Sequence, residues 1–363
     1  MMSEKRHKKN IRLQRLAVVL FTISFCLLIL EAGLRLSGRQ PSNMADGISA
    51  QNGESFRLKP NIKKTINYPA FSYTVYTDEY GFRDSSSGNR PLANKEFYAF
   101  LGASDVFGNG VEYEDSFVGL FSKYAHQKGI EVLNLAVGGH YFLDQENMLR
   151  DFIKTTKLKP SLIAFCVNEL HIPKFDKVNN NIIVKGGYVF NKTSWRAAYI
   201  RLMIGNLSSA YCFFRDGVRR IQEKWLGYEL NDKSPEFLQM YAKKGRMHDP
   251  GNVKKFEEYL NEFKNFCEEN DMKLVYVYIP VSDNFRLDKI LLQIGENPDD
   301  FDSSYYEKMM KSYCEKENIK LINLRPVLRP YYDSGKELRF KLDPHYNVFG
   351  NQIIGEYLVK EMF

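Results

Sequence analysis

A few polar residues in this chain could do chemistry together. Ser104 follows a short apolar run, FYAFL (97–101), within Gly102-Ala103-Ser104-Asp105. A serine hydroxyl is a weak nucleophile until a neighbouring base takes its proton. His345 could be that base, from Asp343-Pro344-His345-Tyr346-Asn347 near the carboxyl end. Asp343, two residues earlier, could hold the imidazole in the productive tautomer. Neutral donors for an oxyanion are also at hand: the backbone N–H groups of Ser104 and Gly139, and the side-chain amide of Asn168. Glycine suits position 139 because the backbone there must approach a reacting carbonyl closely. Gly138 is its rival. Together these residues could carry out acyl transfer through a serine ester.

Each residue also has an ordinary structural use. Ser104 could cap a helix. Asp343-x-His345 could be a helix-start cap with a surface histidine. Asn168, Gly138 and Gly139 could be turn residues. His140 and His171 flank the glycine and asparagine blocks, where they either line a pocket or serve structure. Asp105 reads as a solvated turn carboxylate. No histidine pair has HxH or HxxxH spacing with a third ligand, so neither a metal site nor any other cofactor is expected. Among the five cysteines there is no CxxC pair. Cys166 and Cys267 fall in apolar patterns and read as buried thiols. A disulfide among Cys166, Cys212, Cys267 and Cys314 stays open.

These residues need elements to hold them. From Lys95 onward, short apolar runs alternate with helical periods. The runs are 97–101, VLNLA (132–136), LIAFCV (162–167), LVYVYI (274–279) and LINL (321–324). Helical stretches are expected over 114–128, 144–157, 253–270, 303–317 and 350–362. Alternating strands and helices imply βαβ units and a parallel sheet. Ser104, Gly139 and Asn168 then follow the carboxyl ends of the first three strands, where such sheets bind ligands. About 80 residues (172–252) are inserted between the third and fourth strands. They begin with a hairpin, NIIVKGGYVF (181–190), turning at Lys185-Gly186-Gly187. Upstream, residues 39–94 read as a linker and a small β entrance with one alternating stretch, FSYTVYT (71–77).

The charge is unevenly spread. The chain has 363 residues and a formal charge of +7, of which residues 1–15 carry +5. The nearly neutral remainder argues against a nucleic-acid surface. The basic tail is followed by an uncharged run, LAVVLFTISFCLLIL (16–30). Extended to Gly38, it approaches the ~20 residues that cross a bilayer as a helix. Basic residues are kept on the cytoplasmic side, which would put residue 40 onward outside. The expected layout is therefore a single-pass inner-membrane protein: tail 1–15, transmembrane anchor 16–38, linker and entrance 39–94, and an extracytoplasmic domain 95–363. A cleaved signal peptide and a buried core helix are rival readings of the apolar run.

The ordered blocks resemble the SGNH (GDSL-like) hydrolase family, and in particular its membrane-anchored bacterial branch. Gly102-Ala103-Ser104 stands where that family has Gly-Asp-Ser, and FLGASDVFGNGVEYEDSF is similar to the wider block of that branch, with its Phe-Gly-x-Gly-Val. NLAVGGH, FCVNEL and DPHYNVFG supply the later blocks, and TDEYGFRD (77–84) is similar to a segment upstream of the serine. The resemblance covers about residues 70–363. It implies an α/β flavodoxin-like three-layer sandwich with a central parallel sheet. It implies Ser104, Asp343 and His345 as the catalytic set, and Ser104, Gly139 and Asn168 as the oxyanion hole. The activity implied is hydrolysis of an acyl ester, on an acylated cell-envelope glycan or lipid. Transfer of the acyl group to a surface polysaccharide is one alternative, and a non-catalytic scaffold is the other. Two positions depart from the pattern: Ala103 for Asp, and Glu169 for Asp after the asparagine.

Overall fold

A computed structural model describes residues 2–39, 41, 47–68, 71–86, 92–226, 235–341 and 343–363. Parts of the expected linker and entrance (40, 42–46, 69–70, 87–91) and of the insertion (227–234) lie outside the described residues. In chain order the strands are β1 (Ser49–Asn52), β2 (Ser55–Leu58), β3 (Lys63–Asn67), β4 (Ser72–Thr77), β5 (Arg83–Asp84) and β6 (Phe97–Leu101). They continue with β7 (Glu131–Asn134), β8 (Leu162–Asn168), β9 (Ile182–Lys185), β10 (Tyr188–Asn191), β11 (Lys273–Ile279) and β12 (Lys320–Asn323). The helices are α1 (Met2–Leu36), α2 (Ser104–Phe107), α3 (Phe117–Gln127), α4 (Phe142–Thr156), α5 (Trp195–Leu207) and α6 (Ser209–Leu226). After them come α7 (Pro235–Tyr241), α8 (Pro250–Glu269), α9 (Leu287–Ile294), α10 (Tyr305–Lys316), α11 (Arg325–Asp333) and α12 (Val348–Met362).

The chain divides into two compact units. The larger holds residues 45–195 and 229–363. Its main sheet runs β12-β11-β8-β6-β7-β5-β4-β3. The strands from β12 to β7 pair in parallel. Numbered by sequence alone, those five strands have the order 2-1-3-4-5 of the flavodoxin-like sandwich. The reversal point of that order lies between β6 and β8. Strand β5 joins β7 antiparallel, and β4 and β3 follow it. The expected β entrance is therefore in large part the far edge of the same sheet.

Both faces of the parallel strands are covered, which is why these strands read as continuous apolar runs rather than alternating ones. Successive side chains of β6 point to opposite faces. Phe100 meets Phe121 of α3 at 5.1 Å between ring centroids, and Phe97 meets Phe152 of α4 at 6.2 Å. Helix α12 joins α3 on its face, where a side chain at Gly355 would collide with Leu120. Helix α8 joins α4 on the other, through Phe142 and Phe165, and through Phe165 and Phe263 at 4.9 Å. The result is three layers. Helix α8 starts as its sequence suggests, with the Asp249 side chain accepting from Asn252 N and Pro250 in the first turn. The expected hairpin forms as β9 and β10, turning at Gly186-Gly187.

The smaller unit holds residues 1–44 and 196–228. Its α1 contains Gln14–Leu36, 23 residues that include an 18-residue window with a mean hydropathy of 2.4, none of it buried. That is long and apolar enough to cross a membrane. Helices α5 and α6 form the rest of the unit.

Candidate active site

Ser104 opens α2, a single turn directly after β6. The N-cap residue is Ala103, and no side chain caps the turn. The capping role for Ser104 is thus not the one the structure uses. Its Oγ is half-buried and has no hydrogen-bond partner among the described residues. The Ser104 N–H is likewise unpaired, as expected for the first residue of a helix. Gly102 precedes it because a side chain there would collide with Val106, at 2.1 Å.

The glycine block follows β7. Val137 N donates to Gly102 O (3.4 Å), tying this loop to the serine turn. His140 N closes a four-residue turn on Val137 O (3.2 Å), with Gly139 at a φ of 87°. That is the third position of a type II turn, which needs a positive φ and hence glycine. The N–H groups of Gly138 and Gly139 donate to no group among the described residues. Gly138 is the nearer of the two to the serine: a Cβ added there would lie 3.6 Å from Ser104 Cβ. Gly139 instead faces Phe56 and Asn179. The sequence favoured Gly139 as the oxyanion donor; the geometry places Gly138 against Ser104.

Asn168 ends β8, on the opposite side of β6. Its Oδ1 accepts from Leu170 N, and its Nδ2 donates to Asp105 Oδ2 at 2.9 Å. Asp105 is therefore no solvated turn carboxylate. It is 8% exposed and holds the oxyanion candidate Asn168 in place. Its other oxygen lies 3.5 Å from Arg339 Nη1. Arg339 also donates to Pro344 O and stacks on the Tyr346 ring at 3.9 Å. Burial works against the Arg339 charge, but Tyr346 and Asp105 outweigh it and raise its pKa.

Asp343 and His345 lie on the loop before α12. Phe340 N donates to His345 O and Asn347 N to Leu338 O, closing the loop like a short hairpin. Asn347 then caps α12 by accepting from Gly350 N. Asp343 Oδ1 accepts from His345 N (3.0 Å) and contacts His345 Nδ1 at 2.5 Å. The carboxylate thus fixes both backbone and ring of the histidine. This leaves Nε2 as the basic nitrogen. No hydrogen bond joins Nε2 to Ser104 Oγ; such contacts are often open without substrate and close in the reacting complex.

One residue that sequence reasoning passed over links the two loops. Asn109 N donates to Ser104 O (3.1 Å), while Asn109 Nδ2 lies 3.1 Å from His345 Nδ1. Tyr73 OH donates to Asn109 Oδ1 at 2.5 Å. Gly108 and Gly110, both at positive φ, flank Asn109 and let the loop turn under it. Arg83, fully buried, holds that loop by donating to the carbonyls of Phe107, Gly108 and Val111. The available signals were Phe-Gly-x-Gly-Val and TDEYGFRD themselves: the second supplies the arginine that holds the first.

The remaining candidates serve structure. His140 is buried and its Nε2 bonds Phe56 O at 2.7 Å. His171 packs its ring against Tyr141 and Phe142. Burial lowers both histidines, His171 to about 4. Glu169 is committed to a buried cage of the Tyr241 and Tyr278 hydroxyls, the Asn284 amide and Val281 N, and burial raises its pKa. Cys166 and Cys267 are buried free thiols as expected, and no disulfide occurs among the described residues. No cluster of metal-ligating side chains occurs among the described residues either.

No protein-family profile and no curated protein matches the sequence. Among solved structures, the chain is similar to TesA, with 11% identity over 74% of this chain and 98% of that one, at a TM-score of 0.40. It is similar to the acetyl xylan esterase AlAXEase, with 14% identity over 74% and 100%, at 0.40. It is also similar to a catalytic mutant of Axe2, an acetylxylan esterase from Geobacillus stearothermophilus, with 10% identity over 74% and 94%, at 0.41. Likenesses this distant assign no activity. The α/β class rests on the strand order above, which is the order the resemblance implied.

Proposed function

We propose that this chain is a serine-dependent ester hydrolase that works through an acyl-enzyme. The observation that carries the reading is the Asp343–His345 contact on a loop joined through Asn109 to a serine whose hydroxyl has no structural use. His345 Nε2 takes the proton of Ser104 Oγ as that oxygen attacks the acyl carbonyl carbon. The carbonyl oxygen becomes an oxyanion against the Ser104 and glycine N–H groups and the Asn168 amide. His345 then passes the proton to the departing alcohol oxygen as the C–O bond breaks. Water enters, gives a proton to the same nitrogen and attacks the acyl-enzyme. The acid leaves and Ser104 regains its proton. Asp343 stays ionised and stabilises the imidazolium.

The neutral donor set suits an uncharged ester. In our reading α1 is an uncleaved anchor, the domain lies outside the cytoplasm, and the substrate is an acylated glycan or lipid of the cell envelope. The test is hydrolysis of short-chain activated esters and acetylated oligosaccharides by the full chain. Release of free acid, lost in Ser104→Ala, supports the reading. Acyl appearing on added glycan faster than free acid would replace it with acyl transfer. No turnover of either kind would leave a scaffold.

A further inference from the structure

In the smaller unit, Glu31 of α1 acts on α6 as an N-terminal cap. Its carboxylate accepts from Ser209 N (3.0 Å), Ala210 N (2.8 Å) and Ser208 Oγ (3.0 Å). Four residues on, Arg35 pairs with Glu31 at 2.6 Å and donates to Leu207 O at 2.7 Å. Two charged side chains thus clamp the α5–α6 corner to one end of the apolar helix. A carboxylate at a helix N-terminus is favourable both by hydrogen bonding and by the helix dipole.

Both clamped helices carry apolar stripes that no described residue covers. On α5, Ile200 (60% exposed), Met203 (37%), Ile204 (43%) and Leu207 (68%) fall at i, i+3, i+4 and i+7. On α6, Phe214, Val218 and Ile221 fall at i, i+4 and i+7 and are each more than half exposed. Helix α6 is one-sided, the mark of a helix facing another phase, and on both helices contiguous exposed apolar surface marks a binding face. Helix α5 adds Arg196 and Arg201 and no acidic residue, which suits anionic head groups.

We infer that the α5–α6 corner lies in the membrane interface, its stripes seated in the acyl-chain border of the leaflet that α1 leaves. What points to lipid is continuity. The clamp joins the stripes to the outer end of a helix whose apolar surface is itself uncovered from Leu16 to Ile29. The inference rests on the reading of α1 as an anchor.

The chain has a built-in reporter. Its two tryptophans are Trp195, which begins α5, and Trp225, near the end of α6. Tryptophan favours the interface. The full chain is reconstituted in phosphatidylcholine–phosphatidylglycerol vesicles with lipids brominated either just below the head groups or near the bilayer centre. We expect shallow bromines to quench the tryptophan emission more than deep ones. The Ile204→Asp/Leu207→Asp variant should lose that quenching and still resist extraction by alkaline carbonate. Unquenched emission in membrane-retained wild-type protein overturns the interfacial inference and leaves the anchor standing. So does conversion of a dimer to a monomer by the variant without quenching in either, which would assign the stripes to a second copy. Release of the wild-type chain by carbonate overturns the anchor, and the interfacial inference with it.

Discussion

Asp343 touches His345 through one carboxylate oxygen that serves ring and backbone at once. Changing it to asparagine keeps the size but removes the charge that stabilises the imidazolium and fixes the tautomer. Asp343→Asn should lower kcat by about 10²–10⁴-fold, with KM nearly unchanged. A rise in KM with kcat unchanged would mean Asp343 acts on substrate binding instead. Asn109 has a gentler role: its amide, held by Tyr73, packs against the same ring nitrogen that Asp343 binds. Losing the hydrogen bond from Tyr73 costs about 1 kcal/mol, so Asn109→Leu should cut kcat/KM by roughly five-fold. The loss should persist when rates are normalised to titrated active sites; a purely structural asparagine would lower the amount of folded enzyme and leave kcat/KM per active site unmoved.

At the scale of elements, the serine turn, the Asn109 loop and the β5 strand depend on one buried cation. Arg83 satisfies three carbonyls and lies under the Tyr73 and Phe107 rings. Arg83→Met would strip those carbonyls of their donor. Unfilled buried acceptors cost about 1–3 kcal/mol each, and partial relaxation toward water leaves a loss of about 3 kcal/mol. Urea unfolding should show a lower midpoint with an unchanged slope, and an unchanged midpoint would contradict the account. This region also shows what sequence could convey. The strand ends that carry Ser104 and Asn168 were legible, because parallel strands buried on both faces are plain apolar runs. The Asp343-x-His345 pair was legible because it is local. Asn109, Asp105 and Arg339 were not, because their partners lie 236, 63 and 234 positions away, in His345, Asn168 and Asp105. Periodicity reports which face is buried, and says nothing about which buried polar groups meet. The choice between Gly138 and Gly139 was open for the same reason. Both fit a turn, and only the turn's orientation sets one of them against the serine.

At the scale of the whole molecule, two histidines, His140 buried and His171 half-buried, shape the response to acid. Burial holds His140 and His171 below the ordinary value of 6.5, His171 at about 4, against the nearby charges of Asp144 and Asp105. Between those values the unfolded chain binds protons that the folded chain refuses. Stability should therefore be full above about pH 6.5 and fall as the pH drops toward 4. Unfolding midpoints of the detergent-solubilised chain across that range check this. His171→Phe should flatten the slope; an unaltered slope would show that carboxylates alone govern it.

The central claim is that Ser104 is a nucleophile activated by His345. The most direct measurement is mass spectrometry of the full chain after reaction with a fluorophosphonate. A single adduct on Ser104, absent in Ser104→Ala and strongly slowed in His345→Ala, is the predicted result. An adduct on another residue, or equal labelling of wild type and Ser104→Ala, would contradict it.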